Sequence, residues 1–278
     1  MDMLGIEFQT VFGLPPVEFV NLAADLDCRY ISTGLSGGIP NPFGYGPFSL
    51  REDPSLRYRL LAAMHDRDVS ISLGEGFMVS PGGDVRNYAN DMDIMLELGV
   101  QRINTVSVDL DLGRTVDQFG VLAEMATARG LVMTTEFAPS LTVKNLDMAV
   151  AAVRQVGQPD FRVLIDTMHL VRGGHTAADV AALDPALIGY VHLSDNTLQQ
   201  RGAAYRDDSI DRMFPGDGEL PLADILAAIP LEVIVGLEVP MRSKIEAGER
   251  PEDIARHGVE IAGRMLAAVQ DRRSSATV

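Results

Sequence analysis

Residues 161–170, FRVLIDTMHL, decide the fold. Val163, Leu164 and Ile165 form a short apolar, β-branched run of the kind that a strand buried on both faces requires, and the run closes on Asp166. A carboxylate there is out of place unless something cationic meets it. Three more runs end in the same way: LVMTTEFAPS (131–140) holds Glu136, IGYVHLSDN (188–196) holds His192, and VIVGLEVP (233–240) holds Glu238. Together they offer two glutamates, an aspartate and an imidazole, each at the end of a strand.

Outward from this stretch the pattern repeats. Apolar runs predict strands at residues 4–9, 28–33, 69–74, 102–108, 131–137, 161–166, 188–193 and 232–238. Between them, apolar residues at three- and four-residue spacing predict helices at 17–26, 56–65, 84–98, 118–128, 145–156, 177–183 and 222–229, with 251–269 closing the series. Asp53-Pro54 is a helix start, and Gly99 and Gly130 sit just past two helix ends. Eight consecutive βα units predict an α/β chain with a single (β/α)8 TIM barrel over residues 1–272, followed by a frayed tail at 273–278. No G-x-G-x-x-G follows the first strand, which argues against a doubly wound nucleotide-binding sheet. The long connections, 34–53 and 194–220, both follow strands. A barrel builds its site on that face, so the four motifs should converge on one mouth.

Composition narrows the function. Thirty-nine Asp and Glu against 23 Lys and Arg give a formal net charge of -16, which repels phosphate polymers and argues against nucleic acid as a partner. No window approaches the ~18 uninterrupted apolar residues of a membrane span. The start MDMLGIEFQTVFGLPP lacks the basic opening of a signal peptide. Cys28, the single cysteine, sits in the apolar stretch CRYIS as a buried thiol, and a chain with no internal disulfide suits a reducing cytoplasm.

Glu136, Asp166, His192 and Glu238 form an oxygen-rich donor set for one hard or borderline divalent ion: Mn²⁺ first, with Mg²⁺, Co²⁺ or Zn²⁺ as alternatives. Such an ion, holding adjacent carbonyl and hydroxyl oxygens, acidifies the C–H between them and favours an enediolate. Glu136 and Glu238, from the fifth and eighth strands, are placed to remove and return that proton as the catalytic pair. His169, Arg172 and Glu75 are the substrate-binding candidates. Each has a plainer reading. A lone strand-end acid can cap a helix or pair with a base, and Arg172 can salt-bridge. His65, His175 and His257 read as surface or helix-entry residues, and Met92 and Met95 as core. In the loop 34–53, Phe43, Tyr45 and Phe48 line the mouth, form an oligomer contact, or simply anchor a surface loop.

The block IDTMHLVRGG…IGYVHLSDN…FPGDGELPL…VGLEVP resembles the signature of the xylose isomerase-like TIM-barrel superfamily. This superfamily includes sugar phosphate isomerases/epimerases, inosose isomerases and dehydratases, ketose 3-epimerases, hydroxypyruvate isomerases and endonuclease IV. The similarity is strong in the second half of the chain and fold-level in the first. It implies that Glu136, Asp166, His192 and Glu238 bind the metal, that the two glutamates act as acid and base, and that His169 contacts substrate. Endonuclease IV-like enzymes need further histidines on the early strands and an Asp-Arg-His after the seventh. Here ISTGLSGG, ISLGEGF and INTVSVD hold no histidine, and the late motif reads Asp211-Arg212-Met213. The arginine that ketose epimerases place after the strand-seven histidine has three candidates: Arg201, Arg206 and Arg212.

The expectation is therefore a metal-dependent isomerase or epimerase of a small, sugar-like carbonyl compound, with homo-oligomerisation left open. A dehydratase or lyase using the same site is the first alternative, and a non-catalytic sugar-binding or partner-subunit barrel the second.

Overall fold

Runs rich in Val, Ile and Leu bury both faces only when helices cover one side and a closed interior fills the other. The computed structural model, which describes residues 3–37 and 42–276, shows that solution. Eight parallel strands close a barrel: β1 (Leu4–Ile6), β2 (Tyr30–Gly34), β3 (Ser70–Val79), β4 (Arg102–Ser107), β5 (Val132–Glu136), β6 (Phe161–Asp166), β7 (Ile188–Leu193) and β8 (Val235–Leu237). Each pairs with its neighbour in sequence, and β8 closes on β1 with Leu4 opposite Val235 and Ile6 opposite Leu237. This is the single (β/α)8 TIM barrel that the alternation predicts.

The covering helices include α1 (Pro16–Asp25), α2 (Pro54–Arg67), α3 (Ala89–Glu97), α4 (Leu112–Thr127) and α5 (Leu146–Val156). Asp53 caps α2 by accepting from the Leu56 N–H at 2.9 Å, and Asn145 caps α5 through Met148 N–H at 3.0 Å. Gly99 and Gly130 end their helices at φ +78° and +71°, the left-handed region where glycine carries no steric penalty. Phe119 of α4 packs edge-on against Phe161 of β6 at 5.8 Å between ring centroids, joining the helix layer to the barrel wall.

Three features differ from the sequence reading. Strand β3 runs on to Val79 because Gly74 and Gly76 accommodate a bulge: the pairing with β4 shifts register between Gly74 and Phe77, leaving Glu75 inside the strand. The first strand stops at Ile6, and Phe8–Val11 turn into a 3-10 helix. The final helix, Pro251–Ala276, continues past the frayed tail expected from Arg273, since that guanidinium donates to the carbonyls of Leu226, Ala227 and Ile229 at the end of the Leu222–Ala228 helix. Residues 277–278 of that tail lie outside the described residues, as do 1–2 and 38–41.

Around the mouth, the described part of loop 34–53 forms a small antiparallel ribbon, Ser36–Gly37 against Phe48–Ser49. Tyr45 Oη donates to Glu252 at 2.9 Å, and Arg250 lies over the Phe43 ring at 5.7 Å, so these aromatics anchor the loop to the start of the last helix. No helix among the described residues is long and apolar enough to cross a membrane.

Candidate metal centre

Parallel register carries the four strand-end motifs to one point. Asp166 ends β6 directly opposite His192 of β7, and Gly236 of β8 lies opposite the same histidine. Glu238 follows β8, its N–H donating to the Leu193 carbonyl at 2.9 Å, and Glu136 ends β5 opposite Leu164. One ligand-type atom from each of Glu136, Asp166, His192 and Glu238 lies within 4.8 Å of all the others. His192 Nδ1 stands 3.5 Å from Glu136 Oε1 and 3.4 Å from Glu238 Oε2. Both ring nitrogens of His192 are buried and have no hydrogen-bond partner.

Arg212 supplies positive charge to this acidic knot. Its guanidinium is buried, meets Asp166 Oδ2 in a short charge-assisted contact, reaches Glu238 Oε2 at 2.9 Å and donates to Ser194 Oγ at 2.9 Å. Asp166 also caps helix α6 (Thr167–Arg172), accepting from His169 N–H at 2.8 Å. One carboxylate thus both caps a helix and belongs to the four-residue cluster. His169 turns its Nε2 toward Glu136 Oε1 at 3.9 Å, while its Nδ1 lies 2.7 Å from Tyr205 Oη.

Burial and charge separate the protonation of these groups. Burial pushes Asp166 up, but Arg212, His169 and His192 outweigh it and hold the carboxyl well below the usual range. Burial likewise raises Glu136, yet His192 and His169 bring it below its ordinary value. Glu238 is pushed up to about 7 by burial, which Arg212 and His192 only partly oppose. Burial lowers His192, but Glu238 and Glu7 raise it well above an ordinary imidazole, whereas burial leaves His169 lowered. Burial also raises Glu75 strongly.

The donor set suits a divalent ion. Three carboxylates and an unpartnered imidazole nitrogen, all facing one point, form the oxygen-rich set that hard and borderline cations accept. A buried nitrogen left without a partner carries a desolvation cost that a ligand bond would remove.

Residues 20–265 match the family model for the xylose isomerase-like TIM barrel. The chain belongs to that family. A comparison with curated proteins found no match. Among solved structures, the chain is similar to a xylose isomerase-like TIM barrel/4-hydroxyphenylpyruvate dioxygenase fusion protein at 20% identity and TM-score 0.79. That alignment covers 99% of this chain and 44% of the fusion protein, so the chain spans less than half of its length. It is also similar to the IOLI protein with a bound zinc atom (18% identity, TM-score 0.76, 96% of this chain and 97% of that one). D-psicose 3-epimerase in the presence of D-fructose gives 17% identity and TM-score 0.71 over 95% of this chain and 99% of that one. At these identities the likeness is one of fold.

Within this xylose isomerase-like barrel, the other sequence candidates divide. Glu75 reaches the centre, its Oε1 3.9 Å from His192 Nε2. Arg172 turns away: it pairs with Asp208 at 2.8 Å and donates to the carbonyls of Thr197 and Gln199, so its guanidinium holds loop 194–220 together instead of facing the four-residue cluster. Of the three arginines in that loop, Arg212 enters the cluster, while Arg201 donates to Asn196 Oδ1 and the Asp211 carbonyl. Three neighbours carried no role in the sequence reading. Asn104 Nδ2 bridges Glu75 and Glu136, 3.3 Å from an oxygen of each. Tyr205 orients His169, and Glu7 lies beneath His192. Glu7 falls inside the run predicted as strand 4–9, where it reads as an ordinary polar alternation.

Proposed function

We propose that the chain is a divalent-metal-dependent isomerase or epimerase of a small polyhydroxylated carbonyl compound of ketose or inosose type. The observation that carries this reading is His192 Nδ1, buried and unpartnered among Glu136, Asp166 and Glu238. Those four residues would hold the ion, Mn²⁺ by preference, which would polarise a substrate carbonyl and acidify the neighbouring C–H. Glu136, held ionised by its histidine neighbours, suits the base that takes the proton. Glu238, on the facing side of the same cluster, is placed to return it. His169, fixed by Tyr205, faces the site to bind a substrate oxygen, and Glu75, whose carboxyl burial pushes up, is offered to a substrate hydroxyl. Arg172 has no substrate contact in this scheme and keeps the loop in place. Arg212 offsets part of the negative charge of Asp166 and Glu238.

A buried Cys28 thiol, pushed up to about 12 by burial, is an inert group that suits a reducing cytoplasm. The deciding experiment is metal analysis of the purified chain and of Glu238→Gln, with folding followed by circular dichroism, then a screen of ketoses and inososes with Mn²⁺. About one ion per chain, lost in the variant, with a product of unchanged mass, supports the proposal. Loss of water would reassign the chain as a dehydratase working from the same proton abstraction. No bound metal and no turnover would overturn the reading.

A further inference from the structure

A neutral imidazole carries one N–H, and whichever nitrogen holds it cannot bind a metal ion. His192 has two buried edges with different company, and in the structure neither nitrogen completes a hydrogen bond. Nδ1 faces Glu136 and Glu238, whereas Nε2 faces Glu7 Oε2 at 3.5 Å and Glu75 Oε1 at 3.9 Å. We infer that Glu7 is the positioning residue of the metal centre: its carboxylate takes the Nε2–H of His192 and keeps Nδ1 free as the ligand atom. This rests on reading Glu136, Asp166, His192 and Glu238 as a metal centre.

The surroundings of Glu7 favour it over Glu75. Glu7 is 1% exposed, and its backbone N–H is fixed to the Leu237 carbonyl at 3.0 Å. Its second oxygen accepts from Tyr190 Oη at 2.9 Å, and Tyr190 lies 2.8 Å from Ser72 Oγ, so one carboxylate oxygen is fixed and the other points at the imidazole. The Tyr190 ring stands edge-on to His192 at 5.7 Å between centroids, which restrains the plane of the imidazole. Gly236 on β8 makes room: a Cβ there would sit 1.7 Å from Glu7 Oε1. Any side chain at 236 would therefore displace the carboxylate from beneath the histidine. Glu75 is farther from Nε2, and its oxygens are engaged by Asn104. A carboxylate behind a ligating histidine fixes both its tautomer and its orientation, and losing such a group typically weakens metal binding about 10–100-fold.

The test uses Zn²⁺ as probe on the full chain, with affinity read by chelator competition and His192 read by long-range ¹H–¹⁵N correlation of the zinc-loaded, ¹⁵N-histidine-labelled protein. Wild type should show a protonated Nε2 and a metal-bound Nδ1. Glu7→Ala should weaken zinc about 10–100-fold, Glu7→Gln, which retains a carbonyl acceptor, should recover part of that loss, and Glu75→Gln should weaken zinc less than Glu7→Ala. A spectrum with Nδ1 protonated and Nε2 on the metal overturns the inference even if Glu7→Ala does not fold. So does wild-type zinc affinity in a folded Glu7→Ala. A wild-type chain that takes up no divalent ion overturns both the inference and the function beneath it, whereas zinc binding that is insensitive to Glu7 removes the inference alone.

Discussion

The two halves of the barrel mouth solve the same electrostatic problem in opposite ways. In the half built by β5–β8, Glu136, Asp166 and Glu238 face one another with Arg212 between two of them, a full positive charge against carboxylates. In the half built by β1–β4, Glu7 and Glu75 take side-chain hydrogen bonds from uncharged donors, Tyr190 and Asn104, and share the Nε2 edge of His192. A charge-balanced cluster is open to exchange, since one cation can replace the role of another. A cluster whose carboxylates are fixed largely by neutral side-chain hydrogen bonds is suited to hold geometry. Under the proposed function the β5–β8 half would perform the chemistry, and the β1–β4 half would set the pose of its histidine and of Glu136.

The sharpest break of this contrast is to remove the proposed proton-transfer group while leaving the fold. Glu136→Gln should cut turnover by about 10²–10⁴-fold, with an unchanged circular dichroism spectrum, once a substrate is found by the ketose and inosose screen. Next comes the balancing charge. Arg212→Met strands two buried carboxylates, and in metal-free protein should cost about 3–5 kcal/mol of stability in urea unfolding. Saturating Mn²⁺ should restore part of that loss, because the ion supplies the missing positive charge. A variant equally unstable with and without metal would show that Arg212 serves packing alone. In the other half, Asn104→Ala leaves Glu75 and Glu136 without their shared donor, a loss of about 1–3 kcal/mol that Mn²⁺ should restore less fully.

Which parts were legible in the sequence follows from the range of the interactions. The β-branched runs and their helical partners announce themselves locally, which is why eight strands can be read from one chain. Glu136, Asp166, His192 and Glu238 stand out because a charged or polar residue closes an apolar run, and parallel register then carries them together. The pose of Arg212 was not readable. It depends on loop 194–220, which Asp195 organises by accepting from the N–H groups of Gly216 and Leu220, and Asp208 by accepting from those of Arg201 and Gly202. Arg172 misleads for the same reason: its spacing from His169 fixes its place on α6 but not that Asp208 would hold its head group. Glu75 looked like the end of a strand because the bulge at Gly74–Phe77, which lets β3 continue to Val79, depends on pairing with β4.

Proton competition sharpens the contrast further, at about tenfold in apparent affinity per pH unit for each proton displaced. In the metal-free chain Glu238 keeps its proton to about 7, and His192 is raised well above an ordinary imidazole because Glu238 and Glu7 outweigh its burial. A cation must displace both protons, so its apparent affinity should fall as pH drops through about 7. The stability effect has the same sign. A glutamate raised above its unfolded value binds more protons folded than unfolded, so its contribution declines as pH climbs from about 4.5 to about 7. A raised histidine contributes stability that is complete below about 6.5 and is lost as pH rises through its higher folded value. Metal-free protein should therefore weaken at this site as pH rises, while the loaded site, already deprotonated, should not. The Tm gain from saturating Mn²⁺ should be larger at pH 8 than at pH 6, measured by scanning calorimetry. A gain independent of pH would place the ion away from Glu238 and His192.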